Sequence, residues 1–203
     1  MLVIALPGFT RGPRNLQRLS DACVASGFAC VRPVIAPRWF PIAYMHRARL
    51  RGIAQRLAED CREPVVIAGH SAGAAAGCFL AVCLRDRGVD VRGVVLIDGV
   101  DSPNHLIAKN LPGLADVRIA AVLSPPSPCN RQGALGRFLE SYPHVRVVTV
   151  AGAGHGDIEG AGIGIYARAC KDASRPQTAD EVLHHVVQAI AWCGGESTTF
   201  GRG

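Results

Sequence analysis

An α/β fold is what this chain predicts: a mostly parallel sheet of about six strands, helices on both faces, and no lid domain. Three observations carry that expectation. Apolar strand-like runs alternate with helix-like stretches along the chain, which implies right-handed strand–helix–strand units. The runs are rich in Val, Ile and Leu without polar alternation, as strands covered on both faces require. The 203 residues contain no internal repeat, low-complexity tract or composition break. One domain over residues 1–195, followed by a flexible tail over 196–203, is the economical reading.

The elements follow in order. Leu2–Leu6 is a short apolar run closed by Pro7-Gly8. Asn15–Ser26 has Leu16, Leu19, Cys23 and Val24 on one helical face and Gly27 as its stop. Ala29–Ile35 reads as a strand ended by Pro37. Met45–Cys61 carries Leu50, Ile53, Leu57 and Cys61 at helical spacing, with Arg47, Arg51 and Arg62 off that stripe. Pro64–Ala68 is a continuous apolar strand, and Ala72–Arg87 a helix rich in Ala and Gly. Arg92–Ile97, Arg118–Leu123 and Val145–Val150 are further strands. A last helix is expected from Thr178, with Glu181 completing a capping box, to just before Gly194-Gly195.

Composition narrows the function classes. Apolar residues are 49% and charged residues 19% of the chain, a globular balance rather than a disordered one. No apolar run approaches the roughly 20 residues a membrane helix needs, so no membrane insertion is expected. Met1–Leu6 lacks a basic leader and a small-residue cleavage site, so it reads as a strand and not a signal peptide. The eight cysteines form no C-x-x-C pair and most lie in apolar segments. They are expected to be buried reduced thiols of a cytoplasmic protein, without a disulfide framework. The net charge of +6 comes from scattered arginines, densest at Arg38, Arg47, Arg49 and Arg51. With few aromatics for stacking and no recognition motif, no nucleic acid is expected. A solvated basic surface, or one that meets an anionic substrate or acidic acyl-carrier partner, fits better. No metal-ligand cluster and no dinucleotide glycine pattern is visible, which predicts no cofactor.

The strongest chemical signal is Gly69-His70-Ser71-Ala72-Gly73, a G-x-S-x-G set between the strand Val65-Val66-Ile67-Ala68 and the helix beginning at Ala72. A tight strand–turn–helix raises the serine hydroxyl above the sheet on a strained backbone. Gly69 and Gly73 are required because a Cβ there would collide with the neighbouring strand and helix, and the helix N-terminus places partial positive charge beside the hydroxyl. A serine hydroxyl is too weak an acid to attack unaided, so it needs a base. His155, in Gly152-Ala153-Gly154-His155-Gly156-Asp157 after the last strand, is the candidate. The base in turn needs a carboxylate to fix its tautomer. Among Asp86, Asp90, Asp98, Asp101, Asp116 and Glu140, only Asp98 and Asp101 follow a strand end directly. Asp98 is preferred and Asp101 is the alternative, with Asp157 next. The more usual place for the acid in such folds is after the next strand, but Ser124–Asn130 has no carboxylate. Two backbone N–H donors for a developing oxyanion are assigned to Ala72 and, in the loop after the first strand, Phe9. Thr10, His70, Trp39, Phe40, Pro126 and Cys129 are candidate substrate-binding residues, Cys129 as an accessible thiol.

Together, Pro7-Gly8-Phe9-Thr10, Gly69-His70-Ser71-Ala72-Gly73, Asp98 and Gly154-His155-Gly156-Asp157 resemble the α/β hydrolases that include chlorophyllases, dienelactone hydrolases and cutinase-like polyester hydrolases. The Pro-Gly-aromatic-Thr loop is similar to the oxyanion loop of the polyester hydrolases. The segment Leu96–Asp101 and the Gly-His-x-Asp loop look more like chlorophyllases, in which the acid follows the strand after the nucleophile helix. The resemblance covers roughly residues 2–160 and implies the α/β-hydrolase fold and ester hydrolysis through an acyl-enzyme. Relative to that family the first antiparallel strands are missing and no insertion is long enough for a lid, so the site is expected to be open and no substrate class carries over. Three functions are in play: a carboxylic ester or lactone hydrolase; a thioesterase or acyltransferase acting on a carrier-bound acyl group; and a non-catalytic ligand receptor on the same fold.

Overall fold

The computed structural model describes residues 1–36, 46–101, 104–160, 170, 175–197 and 200–201. Among them six strands form one parallel sheet: β1 (Leu2–Leu6), β2 (Ala29–Val31), β3 (Val65–His70), β4 (Val91–Ile97), β5 (Arg118–Leu123) and β6 (Arg146–Thr149), in the order β2-β1-β3-β4-β5-β6. The order reverses between β1 and β3, where such sheets open a crevice at their C-terminal edge. The register runs Leu6 beside Gly69 and His70 beside Ile97, so the strand ends stand level there.

The four inner strands β1, β3, β4 and β5 bury both faces, and their alternate residues feed two cores; the edge strands β2 and β6 are partly exposed. Ile4, Leu6, Ile67, Leu96 and Ile119 point to one, covered by α2 (Arg47–Asp60), α3 (Ala72–Arg85), α4 (Leu106–Asn110) and α5 (Ala134–Leu139). Val3, Ala5, Val66, Val95 and Val122 point to the other, covered by α1 (Gln17–Ala25) and α6 (Pro176–Gly194). This two-sided burial explains the unbroken apolar runs. α3 lies close on the sheet: a Cβ on its Gly77 would sit 3.2 Å from Ile67 Cγ2.

Several elements differ from the sequence expectation. β2 stops at Val31, short of Ile35, because Pro33 has no N–H to continue a ladder. A 3-10 turn, Pro13–Leu16, precedes α1 and takes over the expected first helical turn. α6 begins at Pro176, so Thr178 lies inside its first turn, where its hydroxyl accepts the Arg175 N–H at 3.0 Å. Proline at the first helical turn is pre-set for that role. α4 and α5 are too short for a readable period. Within the expected tail, Phe200 is 2% exposed against the α6 side, and its carbonyl accepts from Arg146.

The cysteine expectation needs a larger correction. Cys129 and Cys170 form a disulfide across 41 residues of sequence, with Cα atoms 5.1 Å apart. Such a pair has no local signature, since connectivity cannot be read from spacing. The other six thiols are free; Cys23, Cys78, Cys83 and Cys193 are buried, and burial pushes Cys78 and Cys193 up. No helix among the described residues is long and apolar enough to cross a membrane.

Candidate active site

Five strand ends, those of β1, β3, β4, β5 and β6, bring loops together at one edge of the sheet. β3 runs straight into Ser71, which has φ 55° and ψ −123° before α3 begins. That backbone is strained for a residue with a side chain, and the local packing enforces it. A Cβ on Gly69 would lie 2.2 Å from the Gly73 carbonyl oxygen, so only glycine lets the helix turn back so sharply. The Ser71 N–H donates to Ile97 O at 2.9 Å, and Val100 N–H donates to Ser71 O at 3.0 Å, which bind the elbow to β4.

The hydroxyl faces a histidine. Ser71 Oγ is 3.0 Å from His155 Nε2, and His155 Nδ1 is 2.5 Å from Asp98 Oδ2. A carboxylate only accepts, so His155 carries its proton on Nδ1 and its Nε2 accepts from Ser71. Asp98 also has positive φ, 40°, at the end of β4. It is 6% exposed and fully engaged: Ser124 N–H reaches Oδ1 at 3.0 Å, Ser124 Oγ–H reaches Oδ2 at 2.7 Å, and Asn130 Nδ2–H reaches Oδ1 at 3.3 Å. Burial pushes this carboxyl up, but the hydrogen bond and charge of His155 and the two Ser124 bonds outweigh it, holding it below the usual carboxylate range.

Asp101 goes elsewhere. Its oxygens accept the Ile107 and Ala108 N–H groups at 2.8 and 3.0 Å, capping α4. Asp157 is wholly buried; its Oδ2 accepts the Gly154 N–H at 2.9 Å and the Thr178 hydroxyl at 2.9 Å, pinning the His155 loop to α6. Ser124, Asn130 and Glu159 are the participants that sequence reasoning missed. Ser124 alone had a signal, as the first polar residue after β5. Asn130 and Glu159 are reached only through the fold.

The turn after β1 sits against the elbow. Arg11 N–H donates to Gly8 O at 3.0 Å, and a Cβ on Gly8 would be 3.2 Å from Ser71 Cβ and 3.3 Å from His70 Nδ1. Phe9 and Thr10 lie at the exposed tip of this turn, Thr10 with φ 63°. Ala72 is the first residue of α3, whose opening N–H groups have no intrahelical acceptor.

The expected substrate-binding residues are dispersed. His70 is 3% exposed, with both ring nitrogens turned to protein atoms instead of open space. Pro126 is exposed on the loop after β5. Cys129 is not an accessible thiol, being tied to Cys170. Trp39 and Phe40 lie outside the described residues.

No protein-family model matches the chain. Among curated proteins it is similar to erythronolide synthase EryA3 of Saccharopolyspora erythraea, 39% identical over 104 residues, which are 49% of this chain and 3% of that protein. The chain thus spans a small fraction of that relative. Among solved structures it is similar to monoacylglycerol lipase of Paleococcus ferrophilus, with TM-score 0.60, 10% identity, and 95% and 94% of the two chains covered. It is also similar to Est1E of Butyrivibrio proteoclasticus, with TM-score 0.58, 14% identity, and 94% and 88% covered. The NocB thioesterase domain from the nocardicin cluster gives TM-score 0.52 at 15% identity, with 92% and 93% covered. At such identities the likeness is one of fold, and the fold is that of the α/β hydrolases.

Proposed function

We propose that this chain is a serine hydrolase that cleaves a carboxylic ester or lactone through an acyl-enzyme. Ser71 is the nucleophile, His155 the general base and acid, and Asp98 the residue that fixes the base's tautomer. The observation that carries the reading is the unbroken hydrogen-bond line Ser71 Oγ, His155 Nε2, His155 Nδ1, Asp98 Oδ2, starting from a positive-φ serine at a strand–helix elbow.

The chemistry follows from that line. Ser71 Oγ attacks the acyl carbon while its proton passes to His155 Nε2. The carbonyl oxygen becomes an oxyanion, received by the N–H groups of Phe9 and Ala72. The intermediate collapses, the bond to the leaving oxygen breaks, and His155 returns the proton to that oxygen. Water then attacks the acyl-enzyme, gives one proton to His155, and releases the carboxylic acid as Ser71 regains its proton. Asp98 stays ionised throughout and stabilises the transient imidazolium.

A second reading, thioester hydrolysis or acyl transfer from an acidic carrier protein, has its own support in the 104-residue likeness to a synthase and the fold likeness to a thioesterase domain. The test is a turnover screen over p-nitrophenyl esters of graded chain length, lactones and acyl thioesters. Ester or lactone turnover at least tenfold above thioester turnover supports the first reading. The reverse, with salt-sensitive carrier binding, moves the function to the second. No turnover on any class leaves the receptor reading standing.

A further inference from the structure

A second histidine–carboxylate pair lies behind the first, and the proposed chemistry does not use it. His70 directly precedes Ser71. Its Nε2 is 2.7 Å from the backbone carbonyl of His155, and its Nδ1 is 3.3 Å from Glu159 Oε1. The two imidazole rings stand 4.9 Å apart, centroid to centroid. His70 and Glu159 are both buried, with side chains 4% and 6% exposed. Glu159 faces two further segments. Arg11 Nε, just beyond the turn after β1, is 3.0 Å from Oε2, and Asn15 Nδ2–H reaches the same oxygen at 3.4 Å.

We propose that His70 and Glu159 are positioning residues that set the distance between His155 and Ser71; the inference rests on the hydrolase reading above. A carbonyl oxygen only accepts, so His70 carries a proton on Nε2 and holds the base's own backbone. Ser71 and His70 are joined by one peptide bond. The path from nucleophile to base through His70 is therefore one residue and one hydrogen bond long. The path through Asp98 fixes how the imidazole is rotated; the path through His70 fixes where its backbone stands. Glu159 Oε1 faces the other nitrogen at 3.3 Å without a hydrogen bond to it, and Arg11 and Asn15 join Glu159 to the turn that carries Phe9. Gly8 completes the arrangement: a Cβ there would stand 3.2 Å from Ser71 Cβ and 3.3 Å from His70 Nδ1, so the turn leaves no room for a side chain against either. Nucleophile, base and oxyanion turn are thus referenced to one buried side chain, and a displacement of about 1 Å between reacting groups costs about 10²-fold in rate.

The test compares His70→Leu with His70→Gln, whose amide Nε2–H reaches the same carbonyl. His70→Leu should lower kcat about 10²-fold with KM within about threefold, and His70→Gln should recover at least about tenfold of that loss. The downfield proton resonance of His155 Nδ1–H should be sharp in the wild type and His70→Gln, and broadened by exchange in His70→Leu. This readout needs no substrate, so absent wild-type turnover would count against the hydrolase reading while the resonance still decides the positioning claim. Wild-type kcat and a sharp resonance in His70→Leu would overturn it, as would a His70→Gln variant no better than His70→Leu. Should His70→Leu not fold, Glu159→Gln decides: a roughly tenfold loss in kcat with a broadened resonance supports the role, and wild-type values of both overturn it.

Discussion

The two ends of this sheet both collect charge, and they treat it differently. At the N-terminal ends of β4 and β5 a groove of about 350 Å³ is lined by Arg85, Asp90, Arg92, Asp116 and Arg118. There Arg118 donates to Trp192 O, and the other four of the five charges pair with one another: Arg85 grips Asp116 with two hydrogen bonds of 2.8 and 2.6 Å, and Arg92 pairs with Asp90 at 2.7 Å. Those side chains are between 31% and 71% exposed, where ion pairs contribute little. At the C-terminal end Asp98, Glu159 and Asp157 have buried side chains, and their partners are a histidine ring, backbone N–H groups, hydroxyls, amides and, for Glu159, the Arg11 guanidinium. The comparison teaches that exposure and direction, more than charge, separate a decorated surface from a reactive site.

Substitutions at the two ends should therefore differ by orders of magnitude. Ser71→Ala should lower kcat on the order of 10⁶-fold while leaving the fold intact, checked by steady-state turnover and circular dichroism. Asp98→Asn should lower kcat by at least about 10²-fold with little change in KM, because the amide keeps the shape and loses the tautomer. Asp101→Asn should stay within about tenfold, since its carboxylate caps α4. The reverse ranking would move the acid to Asp101 and break the account of the β4 loop.

Stability against pH sharpens the same contrast. A carboxyl lowered on folding binds fewer protons in the native chain than in the unfolded one. Its contribution is complete above the ordinary carboxylate value of about 4 and is lost as pH falls through the lower folded value. Asp98 is such a group. The urea midpoint of the wild type should therefore fall more steeply than that of Asp98→Asn below about pH 5. Parallel acid limbs would mean that Asp98 is not held down by its partners. At the opposite end Asp116→Ala should leave turnover unchanged and the melting temperature within about 2 °C. A larger shift would show that the Arg–Asp groove is more than a solvated surface.

Much of this arrangement was legible in the sequence because it is written locally. The unbroken apolar runs foretell strands buried on both faces, and Gly69 with Gly77 foretells a helix pressed on the sheet. What was not legible is long-range or too short to have a period. Asn130 reaches Asp98 across 32 residues, Glu159 meets His70 only once β1, β3 and the last loop converge, and Cys129 finds Cys170 across 41. Phe200 is buried although its polar and glycine-rich neighbours suggest a loose end. Ser124 is the instructive middle case: the loop after β5 reads as lacking an acid, and its first residue is the one that holds the acid from the neighbouring strand.

The central claim is that Ser71 attacks acyl groups with the help of His155. The most direct measurement is covalent labelling with a fluorophosphonate probe, followed by mass spectrometry of the adduct in the wild type and in His155→Ala. The account predicts one adduct on the peptide containing Ser71, formed at least about 10²-fold faster in the wild type. An adduct on another residue, or equal labelling rates in the two proteins, would contradict it.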